Sequence, residues 1–157
     1  MRKANPKKKQ HYVDNAEFLN QIIKYKRKVK EAEESGKAKP RVNNYIGSCF
    51  LKIATHLSYR PNFINYMYKD DMVCDGIENC IQYIDNFDPE KSRNPFAYFT
   101  QIVYYAFLRR IAKEKRQMDI KEKILEKSGY EHVFSVDGEA SADYNQIKSR
   151  VEMNTKR

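Results

Sequence analysis

No apolar run in this sequence approaches the ~18–20 residues that a bilayer-spanning helix needs, so no membrane partner is expected. Cysteine is scarce. Cys49, Cys74 and Cys80 are odd in number, and the five residues between Cys74 and Cys80 fit no zinc spacing. They read as reduced thiols, mainly in a core. The five glycines form no phosphate-cradling loop and no nucleophile elbow. Alternating β-branched stretches are almost missing, which speaks against a sheet. Lysines near the N-terminus are followed by no apolar segment, so a secretory signal is not expected and a cytosolic product is. No internal repeat is visible.

These absences leave enzymatic chemistry little to stand on. Asp70, Asp71, Asp75 and Glu78 could be imagined as a metal-binding nuclease cluster, but no catalytic lysine or histidine motif accompanies them. The expectation is a protein that is not an enzyme and has no metal or cofactor.

What is present is positive charge. Thirty Lys and Arg against 21 Asp and Glu give +9 over 157 residues and a pI near 9.4. That balance favours an anionic partner, with nucleic acid first among the candidates. Apolar residues at 41% and aromatics at 13% suffice for one buried core.

Along the chain, residues 1–11 form a basic arm containing Lys7-Lys8-Lys9, expected to be flexible. Asp14 with Glu17 makes a capping-box pattern. Phe18, Ile22, Tyr25 and Val29 then recur at fours and threes, predicting an amphipathic helix to about Glu34, stopped by Ser35-Gly36. Its other face carries Lys24, Lys26, Arg27, Lys28 and Lys30, which suits solvent or a DNA backbone equally. A second helix begins near Asn43 or Asn44, with Ile46, Cys49, Phe50, Ile53, Ala54 and Leu57 on a wide apolar face. It ends before Pro61. Asn62 to Tyr68 reads as a short connector packed on the core.

The next stretch, Asp70 to Arg116, is the most informative. Met72, Val73, Ile77, Cys80, Ile81 and Ile84 form one helical face, with acidic residues mostly off it. After the turn at Asp88-Pro89 and Asn94-Pro95, a second helix carries Phe96, Phe99, Val103, Ala106, Phe107 and Ile111, flanked by Tyr98, Tyr104 and Tyr105. It becomes basic at Arg109, Arg110, Lys113, Lys115 and Arg116, and can continue to Ser128-Gly129. Taken singly, the acidic face suits mere solvation and the aromatic stripe suits a core. Together they offer an anionic surface for a basic protein, and rings plus cations for unstacked bases and phosphates. The reading is all-α: a compact helical domain over 12–128 and a loose C-terminal tail over 129–157.

Asp71-Met72-Val73-Cys74-Asp75-Gly76, then Phe87-Asp88, then Phe96-Ala97-Tyr98-Phe99-Thr100, resembles region two of the sigma-70 family of transcription initiation factors. The similarity is closer to the late-transcription sigma factors of T-even-like tailed phages, and it is strong over about a third of the chain. It implies binding to the host RNA polymerase core in an infected bacterial cytoplasm, and recognition and melting of a TATA-like late promoter. Asp71 and Asp75 match the family's acidic positions for docking on the coiled coil of the largest polymerase subunit, with Met72, Ile77 and Ile81 as support. Cys74 stands where the family usually has Gln. Tyr98 matches a base-capturing aromatic, and Phe96, Tyr104 and Tyr105 are assigned the same role by position. Gln101-Ile102 replaces the Trp pair of primary sigma factors. Arg109, Arg110, Lys113, Lys115 and Arg116 are phosphate candidates.

A sliding clamp and a late coactivator are further partners of those relatives. Residues 151–157 lack the relatives' apolar-acidic clamp epitope, and no second promoter-reading helix-turn-helix is evident. Two other classes fit the same surfaces: a general single-strand-binding module, and an anti-sigma-type polymerase-binding protein.

Overall fold

The computed structural model of the protein describes residues 11–128, so the basic arm except His11, and the C-terminal tail, lie outside the described residues. Four helices follow in order: α1 (Asn15–Glu34), α2 (Asn44–Ser58), α3 (Lys69–Tyr83) and α4 (Pro95–Ser128), with a 3-10 turn at Ile84–Asn86 after α3. There is no strand among the described residues. None of their helices is long and apolar enough to cross a membrane. The chain divides into two compact units, Met1–Arg110 and Ile111–Arg157.

Local chemistry explains where the helices start. Asp14 Oδ1 accepts from the backbone N–H groups of Ala16 (3.0 Å) and Glu17 (3.3 Å), satisfying donors that the first turn cannot. The box is completed differently from the pattern: Glu17 accepts from Gln21 Nε2 at 2.6 Å. Asn43 Oδ1 caps α2 through Ile46 N–H at 2.8 Å. At α4, Asn94 Oδ1 accepts from Ala97 N–H at 3.1 Å, and Asn15 Oδ1, from the start of α1, accepts from Phe96 N–H at 3.1 Å. Pro95 occupies the first helical position, where its missing N–H is no loss. Gly36, at φ 66°, lets the chain turn off α1 in a conformation that other residues resist.

The core of the first unit is aromatic. Phe18, Phe50 and Phe99 meet with ring centroids 4.7–6.0 Å apart, and Phe87 joins Phe99 at 5.9 Å. All four are essentially fully buried. The expected faces of α1 and α2 are buried as read, while in the connector only Phe63 enters the core, edge-on to Phe107 at 5.2 Å. Lys26 Nζ donates to the carbonyls of Asp85 and Phe87, closing the 3-10 turn against α1.

Helix α3 departs from expectation. Its buried line is Met72, Gly76 and Cys80, continued by Ile84 in the turn. Ile81 is 47% exposed, because it lies about 100° further round the helix from Cys80. Gly76, unremarked in the periodicity, lies tight against α4: a Cβ there would sit 3.0 Å from Val103 Cγ1 and 3.3 Å from Phe107 Cε1.

Candidate protein-docking and nucleic-acid surfaces

The two sides of α3 have different fates. Its outward side carries Asp70, Asp71, Cys74, Glu78 and Ile81, all exposed. Asp75 lies on the edge toward α4. There its carboxylate accepts from Arg110 Nε at 2.6 Å and Nη2 at 2.8 Å, a two-point pair in which both side chains are largely covered. One turn on, Asn79 Nδ2 donates to the Asp75 carbonyl, and Asn79 Oδ1 accepts from Arg109 Nη2 at 3.1 Å.

This placement bears on five of the expected site residues. Met72 has no exposed surface and packs in the core, so it supports α3 without reaching a partner. Asp75, Arg109 and Arg110 are engaged with one another's helices, so Asp75 is not a free acid for docking and Arg110 is not a free cation for phosphate. Ile77 is half-buried, which leaves Asp71 and Ile81 as the accessible members of the expected docking set. Asp75→Asn should lower stability by about 1–2 kcal/mol, since a partly covered charged pair loses one partner while part of its field is already screened. Urea titration reads this directly; an unchanged midpoint would mean that the pair contributes nothing.

The cysteines divide similarly. Cys49 and Cys80 are buried, and burial pushes the Cys80 thiol up to about 12, whereas Cys74 is exposed on the outward side of α3. Only Cys74 departs from the core assignment.

The aromatic set on α4 is split between two flanks. Phe96, Tyr104 and Tyr105 line an open hollow of about 570 Å³, together with Leu57 near the end of α2, Arg60 just beyond it, and Asn94, Ala97, Thr100 and Gln101. Tyr104 and Tyr105 are 38% and 50% exposed, with centroids 5.8 Å apart and their rings nearly perpendicular. Tyr98 does not line this hollow. Its ring packs on Phe87 at 5.1 Å and Phe99 at 5.0 Å, its hydroxyl donates to the Tyr83 carbonyl at 3.4 Å, and burial raises its pKa. The direct sequence match is thus half-buried and partnered; of the positional inferences Tyr104 and Tyr105 are exposed, while Phe96 is half-buried. Lys113, Lys115 and Arg116 belong to the second unit and are exposed there.

The sequence pattern did not point to Arg60 or to the cluster beside it. Tyr12 stacks face to face on His56, centroids 3.8 Å apart and planes 2° off parallel. His11 stacks on Tyr12, and both meet Phe96 edge-on. Residues so far apart in the chain carry no periodic signal linking them.

A scan against known protein families gives no match, and a search of the curated proteins gives none either.

Proposed function

We propose that this chain is a sigma-type initiation factor of the phage late class, docking on the host RNA polymerase core through the outward side of α3. The α4 hollow then holds unpaired promoter bases. The observation that carries this reading is the hollow itself, which sets Phe96, Tyr104 and Tyr105 beside Arg60 and Gln101. Rings that are accessible on one side accept a base by stacking regardless of its identity, and a cation beside them holds the adjoining phosphate. A fully paired duplex offers no such face, so capture is tied to melting. Asp71 and Glu78, acidic, exposed and set apart from the Asp75–Arg110 pair, suit a basic coiled coil.

The test uses the full chain with purified core polymerase on a TATA-like promoter. Tyr104→Ala with Tyr105→Ala should leave core binding intact and weaken opening by roughly 1–3 kcal/mol for each stacking ring removed, seen as lower permanganate reactivity of thymines near the start. Asp71→Lys with Glu78→Lys should instead abolish co-purification with core. Unchanged thymine reactivity in the tyrosine variant removes the base-capture role. A wild-type chain that binds single strands but never core is a general single-strand-binding module, and one that binds core without yielding a specific start is an anti-sigma-type factor.

A further inference from the structure

The outward side of α1 takes no part in either surface above, yet it carries a dense run of cations. Buried Phe18, Ile22, Tyr25 and Val29 fix the rotation of the helix, so Lys24, Arg27 and Lys28 must point away from the core. Lys24 lies three and four residues before Arg27 and Lys28, which puts its Cβ atom about 5–6 Å from each of theirs on the same side of the helix. All three are exposed, and none lines the hollow beside α4.

What marks this side of the helix is that three unpartnered cations lie within four residues of one another. Neighbouring lysines are used: Lys26 holds the carbonyls of Asp85 and Phe87, and Lys39 pairs with the Asp85 carboxylate. Lys24, Arg27 and Lys28 form no hydrogen bond or ion pair among the described residues. Glu31 is one turn on, but with the cation N-terminal to the acid the pair has the weaker orientation, and none forms. Three like charges on adjacent turns repel one another, so the isolated protein holds an unfavourable arrangement that a polyanion relieves.

We infer that this face of α1 is a second, sequence-independent contact for the phosphate backbone of duplex nucleic acid. Its cations sit on a rigid helix at a spacing that flexible side chains can match to successive phosphates, and no ring on the stripe is available for stacking. It therefore takes paired backbone, whereas the α4 hollow takes unpaired bases.

The experiment measures binding of the full chain, without polymerase, to a short mixed-sequence DNA duplex over a range of salt. Each phosphate contact adds about 0.9 to the slope of log affinity against log salt, so Lys24→Gln, Arg27→Gln and Lys28→Gln together should lower that slope by about 2–3. A charge-matched control, Lys121→Gln, Lys123→Gln and Lys127→Gln, should lower it by less. Because the α1 residues are exposed and mutually repelling, their triple variant should melt no lower than wild type in the absence of DNA, and duplex should raise the melting temperature of the wild type more than that of the variant. An unchanged slope, or an equal fall in the two triple variants, overturns the proposal, because the stripe would then be solvated surface like any other. The outcome is independent of polymerase docking and promoter opening, neither of which the assay contains.

Discussion

Phe99→Ala should lower the unfolding free energy by about 3–5 kcal/mol, the usual loss when a fully buried phenyl ring becomes a methyl group. Phe99 has no exposed surface and meets Phe18 of α1, Phe50 of α2, Phe87 after the 3-10 turn and its own neighbour Tyr98. Its carbonyl also accepts from the Cys80 thiol at 3.9 Å, tying α3 to the same point. Those partners come from several separate segments, so local collapse around one of them cannot refill the space. Typical domain stability is about 5–15 kcal/mol, so the variant should retain only a fraction of it. Urea unfolding followed by helical circular dichroism measures the difference. Tyr105→Ala, on the same helix but half exposed, should change stability by less than about 0.5 kcal/mol. Equal destabilisation at the two positions would mean that Phe99 is not the meeting point of the helices.

Gly76→Leu should destabilise the fold by about 1–3 kcal/mol through overpacking. A β-carbon at Gly76 already meets Val103 Cγ1 at 3.0 Å, and both Val103 and Phe107 are fully buried with nowhere to retreat. A leucine must therefore push α3 from α4, straining the neighbouring Asp75–Arg110 pair as well. Gly47 provides the comparison, because nothing lies within 4 Å of a β-carbon there. Gly47→Ala, in the interior of α2, should stabilise by up to about 1 kcal/mol by limiting the freedom of the unfolded chain and favouring helix. If Gly76→Leu melts with the wild type, the helices are not in close contact at this point.

Much of the architecture was legible because it is local. The spacing of Phe18, Ile22, Tyr25 and Val29, and of Ile46, Cys49, Phe50, Ile53, Ala54 and Leu57, named the buried faces of α1 and α2 correctly. A 3.6-residue period is a property of neighbouring residues and needs no partner to be read. The cap at Asp14, a helix start near Asn43 or Asn44 and the stop at Ser35-Gly36 were visible for the same reason. All-α architecture followed from them.

The sites were less legible. The acidic run did not reveal that Asp75 and Arg110, thirty-five residues apart, neutralise each other. Nor did the aromatic run reveal that Tyr98 packs inward on Phe87 while Tyr104 and Tyr105 face an open hollow completed by Arg60 of a different segment. Sequence alone determined which residues form helices, which stripe of each is apolar, and that anionic and aromatic-basic surfaces follow one another in the chain. Only the tertiary structure decided which acids and rings remain free to meet a partner. That choice depends on how far each helix is rotated and how closely it approaches its neighbour, and the close approach at Gly76 arises from packing between distant segments that no local pattern encodes.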